Sequence, residues 1–583
     1  MILVFGGTTE GRKAVEVLEE AGHVYYYSTK TGEQDITLHH GIRVDGAMDA
    51  DKMASFLHEH HIRLLIDAAH PFALQLHQTI IKTAQELEIP IIRYERIYPK
   101  RDSRLTWIDN YSQVPADMKT LLATTGVQSI SKLKHLETQG VHVIYRILPR
   151  LSSISLAKKQ GANEKQLCYY SGNIASNGSF MCQGEPIEAD AILMKESGLS
   201  GGFQEKVDNA LSKGMRVIVL KRPQWSTNKV AFTTVNGPYG LRRAVEQLLP
   251  DFFPLKSGLT TGTCATAAAI AATIRLVKNE MPKEVPVRLP NGETINIAVS
   301  YGADYAYCIK QAGDDPDVTD GIEIRASVRD SDHFEINGGY GVGRFTLPGF
   351  DYPPGEAAIN RSPRQMMREN IKENVAVTII VPDGEEVARK TFNPRLGIVG
   401  GISIIGVSGI VKPFSEEAFI NSIRKCMEVA KASGTDRVVI NSGAKSERYV
   451  RTLYPSLPYQ AFVEYGNYIG ETLKIAEENG IGHIILGVML GKAVKLAEGH
   501  LDTHSRRVTM NRSFIKRMLE EAHCETTADY TLARELWQVI PKEKIEVFSH
   551  VVISHCYQHC KPLVPHAKLT ILLIDDDGTI HSL

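Results

Sequence analysis

The sequence predicts an α/β protein, with two doubly wound, Rossmann-like parallel-sheet lobes in its N-terminal half and an α/β to α+β half after them. Residues 1 to about 100 alternate strand and helix over short connections: MILVFGG, EGRKAVEVLEEAG, HVYYYSTK, DADKMASFLHEHH, RLLIDAA, FALQLHQTIIKTAQELE, PIIRYER. A second such series spans about 118–248 and ends in ADAILMKESG, FQEKVDNALSKG and MRVIVLKRP. Apolar runs joined by amphipathic helices close as parallel sheets that bind ligands at the carboxyl ends of their strands. After LLPDFFPLKSG the rhythm changes: glycine-rich turns separate short strands from about 284 to 412, before α/β patterning returns in EEAFINSIRKCMEVAKASG and GHIILGVMLGKAVKLAEG. The proline and aromatic break near 251 divides the chain into domains 1–251, with lobes of about 1–117 and 118–251, and 252–583.

Length and composition fit this division. A chain of 583 residues exceeds what one hydrophobic core supports, and 43% apolar with 23% charged residues is ordinary for a globular protein. The 66 basic residues nearly cancel the 67 acidic ones. No global field exists to hold nucleic acid or an anionic membrane, so a polyanionic ligand must be gripped by local clusters. Eight scattered cysteines form no disulfide framework. MILVFGG reads as a strand entering a glycine turn rather than a secretion signal, so a cytoplasmic protein is expected. The uncharged run LGIVGGISIIGVSGIV at 396–411 is shorter than a membrane span and carries five glycines, which predicts loops and short buried strands. HCYQHC at 555–560 offers Cys556 and Cys560 without a second pair at zinc-site spacing, so an ordinary loop and no metal are expected.

In the first half, Gly6, Gly7 and Gly11 stand after a strand and before a helix. Positions without side chains let the backbone approach a pyrophosphate whose charge then sits on a helix N-terminus. Their spacing departs from Gly-x-Gly-x-x-Gly, and a mere tight turn is the alternative. The second strand ends in Ser28, Thr29 and Lys30, where a cofactor with a free 2′-hydroxyl would meet an acid; this favours a 2′-phosphate, hence NADPH over NADH, unless Lys30 is only a solvated loop lysine. Asp67 and His70 fall where the third strand of the first series ends; His70 can donate a proton, hold a carboxylate or cap the next helix, and Pro71 directs the loop. Lys195 and Ser197, followed by the Gly201–Gly202 turn, offer an anion grip in the second lobe, unless Lys195 is only a surface charge.

The ordered set ILVFGGTTEGR, DAAHPFA, YRILP and KESGLSGGFQEKV…VIVLKRP resembles the precorrin-6A reductase family. The resemblance implies two α/β lobes clasping a nicotinamide cofactor, with hydride delivered to a ring carbon of a tetrapyrrole. By position, Gly6, Gly7, Thr8, Thr9, Gly11 and Arg12 would cradle the cofactor phosphates. SGNIASNGSF stands where that family shows a proline-containing GPF segment, a departure in the substrate-facing loop.

In the second half, AGDDPDVTDG gathers Asp314, Asp315 and Asp317 around Pro316, a crowd that needs solvent, a cation or donors to offset its repulsion. An exposed turn is the alternative. GGYGVGRFTLPG contributes Gly341, Gly343 and Arg344, and INRSPRQM sets Arg361 and Arg364 around Pro363. Glycines suit close approach to a flat ligand, and arginines pair carboxylates in bidentate fashion. In LKSGLTTGTCATAAAIAAT, Thr260, Thr261 and Thr263 cap a helix whose hydroxyls and amides would form an anion pocket; Cys264 is read as a packed residue, not a nucleophile.

SGLTTGTCATAAAIAA, AGDDPDVTDG, GGYGVGRFTLPG, GEAAINRSPR, KTFNPRLGIVGGISIIGVSGIVKP and GKAVKLAEGHLDTHS, in that order, resemble the cobalt-precorrin-5B C(1)-methyltransferase family. The resemblance implies methyl transfer from S-adenosyl-L-methionine to a ring carbon of a cobalt-containing corrinoid, with cobalt present only as part of the substrate. At matched positions, Asp314, Asp315 and Asp317 would face the cationic cofactor or a leaving proton; Arg364, Arg395, Lys492, Lys495 and His504 would hold the macrocycle's carboxylates. The two family reactions are consecutive in the anaerobic route to cobalamin, so a fused bifunctional enzyme with a tetrapyrrole substrate is expected. No nucleic-acid or membrane partner is expected, and a homo-oligomer is compatible. The alternatives are a reductase whose second half only binds tetrapyrrole, against which all six stretches weigh, and an unrelated NADPH-dependent oxidoreductase with a scaffold domain.

Overall fold

Strand Ile2–Phe5 shows how the first sheet is built. Ile2 and Val4 point into one core with Ala14, Val15, Leu241 and Val245, while Leu3 and Phe5 point into another with Met53, Leu57, Ile80 and Ala84. Alternation of side chains along a strand thus places helices on both faces, which is why the strand reads as unbroken apolar sequence. The computed structural model describes all residues except 31, 33, 171–179, 183–184, 506 and 525–529. The segment SGNIASNGSF falls almost wholly outside the described residues.

The chain divides into two compact units, Met1–Lys256 with Arg288–Ile295, and Ser257–Val287 with Asn296–Leu583. The first unit holds two six-stranded sheets in which every pairing is parallel. In the first sheet the strands run Phe232–Val235, Ile91–Tyr94, Leu64–Asp67, Ile2–Phe5, Tyr25–Thr29, Gly41–Asp45. This is the dinucleotide-binding order, with its switch point between Ile2–Phe5 and Leu64–Asp67. The second sheet runs Thr106–Ile108, Arg216–Leu220, Ala191–Lys195, Thr120–Ala123, His142–Ile147, Leu167–Tyr169, and reverses between Thr120–Ala123 and Ala191–Lys195.

The lobes therefore do not divide at 117. Thr106–Ile108 joins the second sheet, while Phe232–Val235 and helix Pro238–Leu248 return to the first. The second lobe is an insertion between the fifth and sixth strands of the first. Leu249, Phe252 and Phe253 of the expected break pack into the first lobe's core.

In the second unit, helix Thr261–Lys278 is buried along its first 13 residues and packs on strands Ala306–Ile309 and Glu323–Asp330. Its alanines combine high helix propensity with small volume, which permits this burial. These strands belong to a mixed sheet ordered Ser300–Tyr301, Ala306–Ile309, Glu323–Asp330, Val375–Ile380, Glu335–Gly338. The stretch 396–411 contains the short strands Ile398–Val399, Gly401–Ile402 and Ile410–Val411. A second sheet runs Phe462–Glu464, Arg437–Asn441, His483–Met489, Lys568–Ile574, Ile580–Ser582, parallel except for its last pair. HCYQHC is not a loop: it ends helix Ile545–Cys560, with Cys556 and Cys560 fully buried in the core beside this sheet. No helix among the described residues is long and apolar enough to cross a membrane.

Gly341 has φ +73°, and a Cβ there would fall on the Val381 carbonyl oxygen. Gly341→Ala is expected to cost about 3 kcal/mol, from backbone strain and overpacking together. Chemical denaturation of the full chain, followed for loss of second-unit structure, would show an earlier midpoint.

Candidate functional site

The carboxyl edges of both first-unit sheets line one open cavity of about 1260 Å³. From the first sheet come Gly6, Gly7 and Thr8 after the first strand, Ser28, Thr29 and Lys30 after the second, and Ala69 with His70 after the fourth, Leu64–Asp67. From the second come Ser129, Lys132, Lys195, Lys221 and Arg222. Two switch points thus meet over one space, the position at which open α/β sheets bind ligands.

The Gly6–Thr8 turn is tightly made. Thr8 caps helix Thr9–Glu19, accepting a 3.0 Å bond from Gly11 N–H, and its hydroxyl donates to Ala68 O at 2.6 Å, tying the two strand ends together. Gly7 has φ +84°, and its N–H donates to the Tyr27 hydroxyl at 3.1 Å. Tyr27 lies against Gly6 so closely that an added Cβ would overlap its ring. Arg12 and Lys30 are exposed on the cavity wall, whereas Thr9 and Gly11 lie outside it. Thr29 Oγ donates to Asp45 at 2.9 Å, so the acid of this region sits at the end of the third strand, not the second.

Below His70 lies a buried ion cluster. Asp67 pairs with Arg93 at 2.9 Å and His77 at 2.6 Å, and His77 Nε2 contacts His70 O at 2.9 Å, which holds the loop. His70 itself is pushed down to about 3 by burial and by Arg96, Lys195 and Arg93. Its Nδ1 accepts Phe72 N–H at 3.2 Å, leaving a neutral ring with its proton on Nε2. Its Nε2–H can hydrogen-bond a ligand. Lys195 lines the cavity as expected. Ser197, Gly201 and Gly202 do not: their loop packs on the inter-lobe connection, where Leu199 N–H donates to Ile97 O at 2.9 Å and Arg96 donates to Ser197 O at 2.7 Å.

In the second unit several expected binding groups are engaged internally. Thr261 and Thr263 are buried; their hydroxyls donate to carbonyls of residues 403–409, including Gly409 O at 2.6 Å, and fill the expected anion pocket. Gly341 and Gly343 face neighbouring backbone at Val381 and Gly401, so their close approach is chain to chain. Arg364 donates to Ile359 O and Ala357 O. The three aspartates divide: Asp314 is exposed, Asp315 accepts Phe414 N–H at 2.9 Å, and Asp317 pairs with buried Lys310 at 2.8 Å. Burial raises the Asp317 carboxyl, but Lys310 and then Thr319 outweigh it and hold it below the usual range.

The remaining cations come together at the carboxyl edge of the 437–582 sheet, whose order reverses between Arg437–Asn441 and His483–Met489. Arg395 pairs with buried Glu447 at 2.8 Å; Lys492 donates to Gly466 O; Lys495 donates to Thr503 O at 3.3 Å; His504 N–H donates to Asp502 at 3.0 Å. Burial pushes Lys492 down to about 8. Glu464 ends the neighbouring strand, and burial raises its carboxyl against the pull of Arg395. Neither Glu464 nor Glu447 was legible as a site residue, because each lies far in sequence from Arg395 and no motif spans the gap.

The fold and cavity define a two-unit α/β protein whose first unit is of the doubly wound nucleotide-binding type. Residues 250–413 match the CbiD family model, and residues 1–237 match the model of precorrin-6x reductase CbiJ/CobK. A cobalt-precorrin-5B C(1)-methyltransferase of Prosthecochloris aestuarii is 41% identical over 353 residues, covering 56% of this chain and 95% of the relative. One from Thermus thermophilus is 40% identical over 305 residues, covering 50% of this chain and 83% of the relative. A solved structure, the cobalamin biosynthesis protein CbiD of Archaeoglobus fulgidus, is 34% identical with TM-score 0.26, covering 43% of this chain and 83% of its own. The chain belongs to the cobalt-precorrin-5B C(1)-methyltransferase family. It is a fusion of that family's domain with a precorrin-6x reductase domain on its N-terminal side, both of cobalamin biosynthesis.

Asp317→Asn should cost about 3 kcal/mol at neutral pH by leaving Lys310 buried and unpaired, and Lys310→Met in the same chain should recover most of it. Because the folded Asp317 carboxyl is depressed, its contribution is complete above about pH 4 and vanishes as pH falls through the folded value. Denaturant midpoints of the single and double variants across pH check both statements.

Proposed function

We propose that the chain is a bifunctional cytoplasmic enzyme of cobalamin biosynthesis. The second unit would methylate C(1) of cobalt-precorrin-5B from S-adenosyl-L-methionine, and the first would reduce the resulting cobalt-precorrin-6A to cobalt-precorrin-6B with NADPH. The observation that carries this reading is the union, in one chain, of two family domains whose reactions are consecutive. Joining them raises the concentration of the intermediate at the second site without requiring a tunnel.

The first-unit cavity fits a dinucleotide beside a polycarboxylate ring. The Gly6–Thr8 turn lines the cavity next to the exposed Arg12 and Lys30, which suits phosphates. NADPH would supply hydride. Arg12 and Lys30 would hold its 2′-phosphate, His70 Nε2–H would donate to a ring carboxylate or carbonyl, and Lys132 with Lys195 would draw the macrocycle's carboxylates inward. Cobalt enters only as part of that substrate.

In the second unit, S-adenosyl-L-methionine would supply the methyl group, and the sheet edge at Glu464 fits a cationic cofactor beside an anionic ring. Glu464 would face the positive charge. Arg395 and Lys492, with Lys495 and His504 behind them, would orient ring carboxylates, leaving rate enhancement to positioning.

The reading is tested by anaerobic incubation with cobalt-precorrin-5B. S-adenosyl-L-methionine alone should add one methylene mass, and NADPH a further pair of hydrogens; reduction of supplied cobalt-precorrin-6A without any methyl transfer would instead support a single-activity reductase. Arg12→Ala with Lys30→Ala should raise KM for NADPH about tenfold more than KM for NADH, as expected from loss of charge-assisted phosphate contacts.

A further inference from the structure

We infer that the turn at 289–293, which comes from the methyltransferase-family part of the chain, is the helix cap that completes the reductase-family unit. The surface it fills is the start of helix Pro238–Leu248, and the group that docks there is the buried carboxylate of Glu293. This role lies outside the two proposed reactions and does not depend on them.

The helix cannot cap itself. Its N-cap position is Gly237, which has no side chain to offer, and its first residue is Pro238, which has no N–H. The N–H groups of Tyr239 and Gly240 are left without intrahelical acceptors. Glu293 takes both: Gly240 N–H donates to Oε2 at 2.9 Å and Tyr239 N–H to Oε1 at 3.3 Å. A carboxylate in this place also meets the positive end of the helix dipole.

The fit is close on both sides. A Cβ on Gly237 would fall on the Glu293 side chain, so the glycine that cannot cap also admits the residue that does. Gly237 has φ −165°, extended backbone open to any residue, and what matters there is the missing side chain rather than the torsion. Thr294 N–H donates to Asn236 Oδ1 at 2.8 Å, and a Cβ on Gly240 would meet Ile295 Cγ2 at 3.5 Å. One on Gly292 would lie 3.7 Å from Ile97 Cδ1, on the connection between the two lobes.

The turn is built to present its carboxylate. Strands Glu284–Arg288 and Thr294–Ala298 pair, and the Asn291–Gly292 step between them reverses the chain with Gly292 at φ +86°. Asn291 holds Glu293 at two points: its Oδ1 accepts Glu293 N–H at 3.1 Å, and its Nδ2 donates to Oε1 at 2.5 Å. Glu293 is only 1% exposed. Burial raises its carboxyl, against the pull of Asn291, Gly240 and Tyr239. A charge so buried is costly unless donors meet it, and those donors are its own turn and the start of this helix.

Family boundary and structural boundary therefore differ. The reductase match stops at 237 and the methyltransferase match begins at 250, yet Arg288–Ile295 belongs with Met1–Lys256 in one compact unit. Helix Pro238–Leu248 carries Leu241 and Val245 into the core shared with Ile2 and Val4, and its Arg242 pairs with Glu20, just beyond helix Thr9–Glu19. Capping this helix thus supports the strand and the helix that flank the glycine turn.

The test is hydrogen exchange on the full chain, read at the amides of 239–245. Glu293→Ala should speed exchange there about tenfold, the scale of a lost helix cap. Glu284→Ala, at an exposed site on the same strand pair, should change nothing, and exchange at 437–441 in the second unit should stay as in wild type. Gly237→Ala, which puts a methyl group where the carboxylate sits, should act like Glu293→Ala. The double variant should be no worse than the worse single one, because both changes break one contact. Glu293→Gln, which keeps an acceptor, should fall between wild type and Glu293→Ala, and it carries the test together with Gly237→Ala if Glu293→Ala does not fold. Wild-type exchange at 239–245 in Glu293→Ala, or in both substitutes for it, would mean that water caps the helix equally well and would overturn the inference. Additive effects in the double variant would overturn it too.

Discussion

The buried guanidinium of Arg96 holds the first unit's architecture. It pairs with Glu10, on the helix behind the glycine turn, at 3.0 Å and donates to the Ser197 carbonyl, on the loop after Lys195, at 2.7 Å. Glu10 also accepts from Ser200. One side chain thereby links the glycine turn of one lobe to the strand end of the other. A pair so withdrawn from water adds little net stability, because desolvation offsets much of its attraction. Its effect is registry: two carboxyl edges face one cavity instead of two separate surfaces. The same guanidinium is among the charges that keep His70 neutral, so the joint that sets the geometry also sets the chemistry available in it.

The cavity's charge follows from this arrangement. The chain as a whole is almost neutral, yet the wall collects lysines and arginines from both sheets. In a partly closed space such charges focus potential on a polyanion more strongly than the same charges spread over a surface. The cations of the second unit are held differently. There the cations at the 437–582 sheet edge are anchored, Arg395 by Glu447 and Lys492 by a backbone carbonyl, which fixes their orientation.

Particular residues show where sequence patterns suffice and where they do not. The unbroken apolar runs ILVF and LLI announce strands buried on both faces, and the glycine turn after the first announces a helix start; both are local, and both reappear in the structure. The sixth strand was not legible as part of the first sheet. Phe232 pairs with Ile91, and nothing in either segment names the other across the inserted lobe. The aspartate crowd misled in the opposite sense: Asp317 sits close to Lys310 in sequence, and only burial shows that the lysine is its counter-ion. In HCYQHC the chemical identity of the side chains suggested a loop, whereas the burial of Cys556 and Cys560 in one helix marks them as core.

Motif order along the chain was enough to show that a methyltransferase and a reductase family of cobalamin biosynthesis had been joined, because such stretches keep their residues together in sequence. Tertiary structure alone decided which of the named side chains remain available. Thr261, Thr263, Gly341 and Arg364 are engaged by backbone neighbours, whereas Lys195 has no carboxylate partner among the described residues and faces a cavity that two distant strand ends create. The physical reason is that a polar group's function depends on whether its hydrogen-bonding capacity is already satisfied, and the groups that satisfy it come from anywhere in the fold.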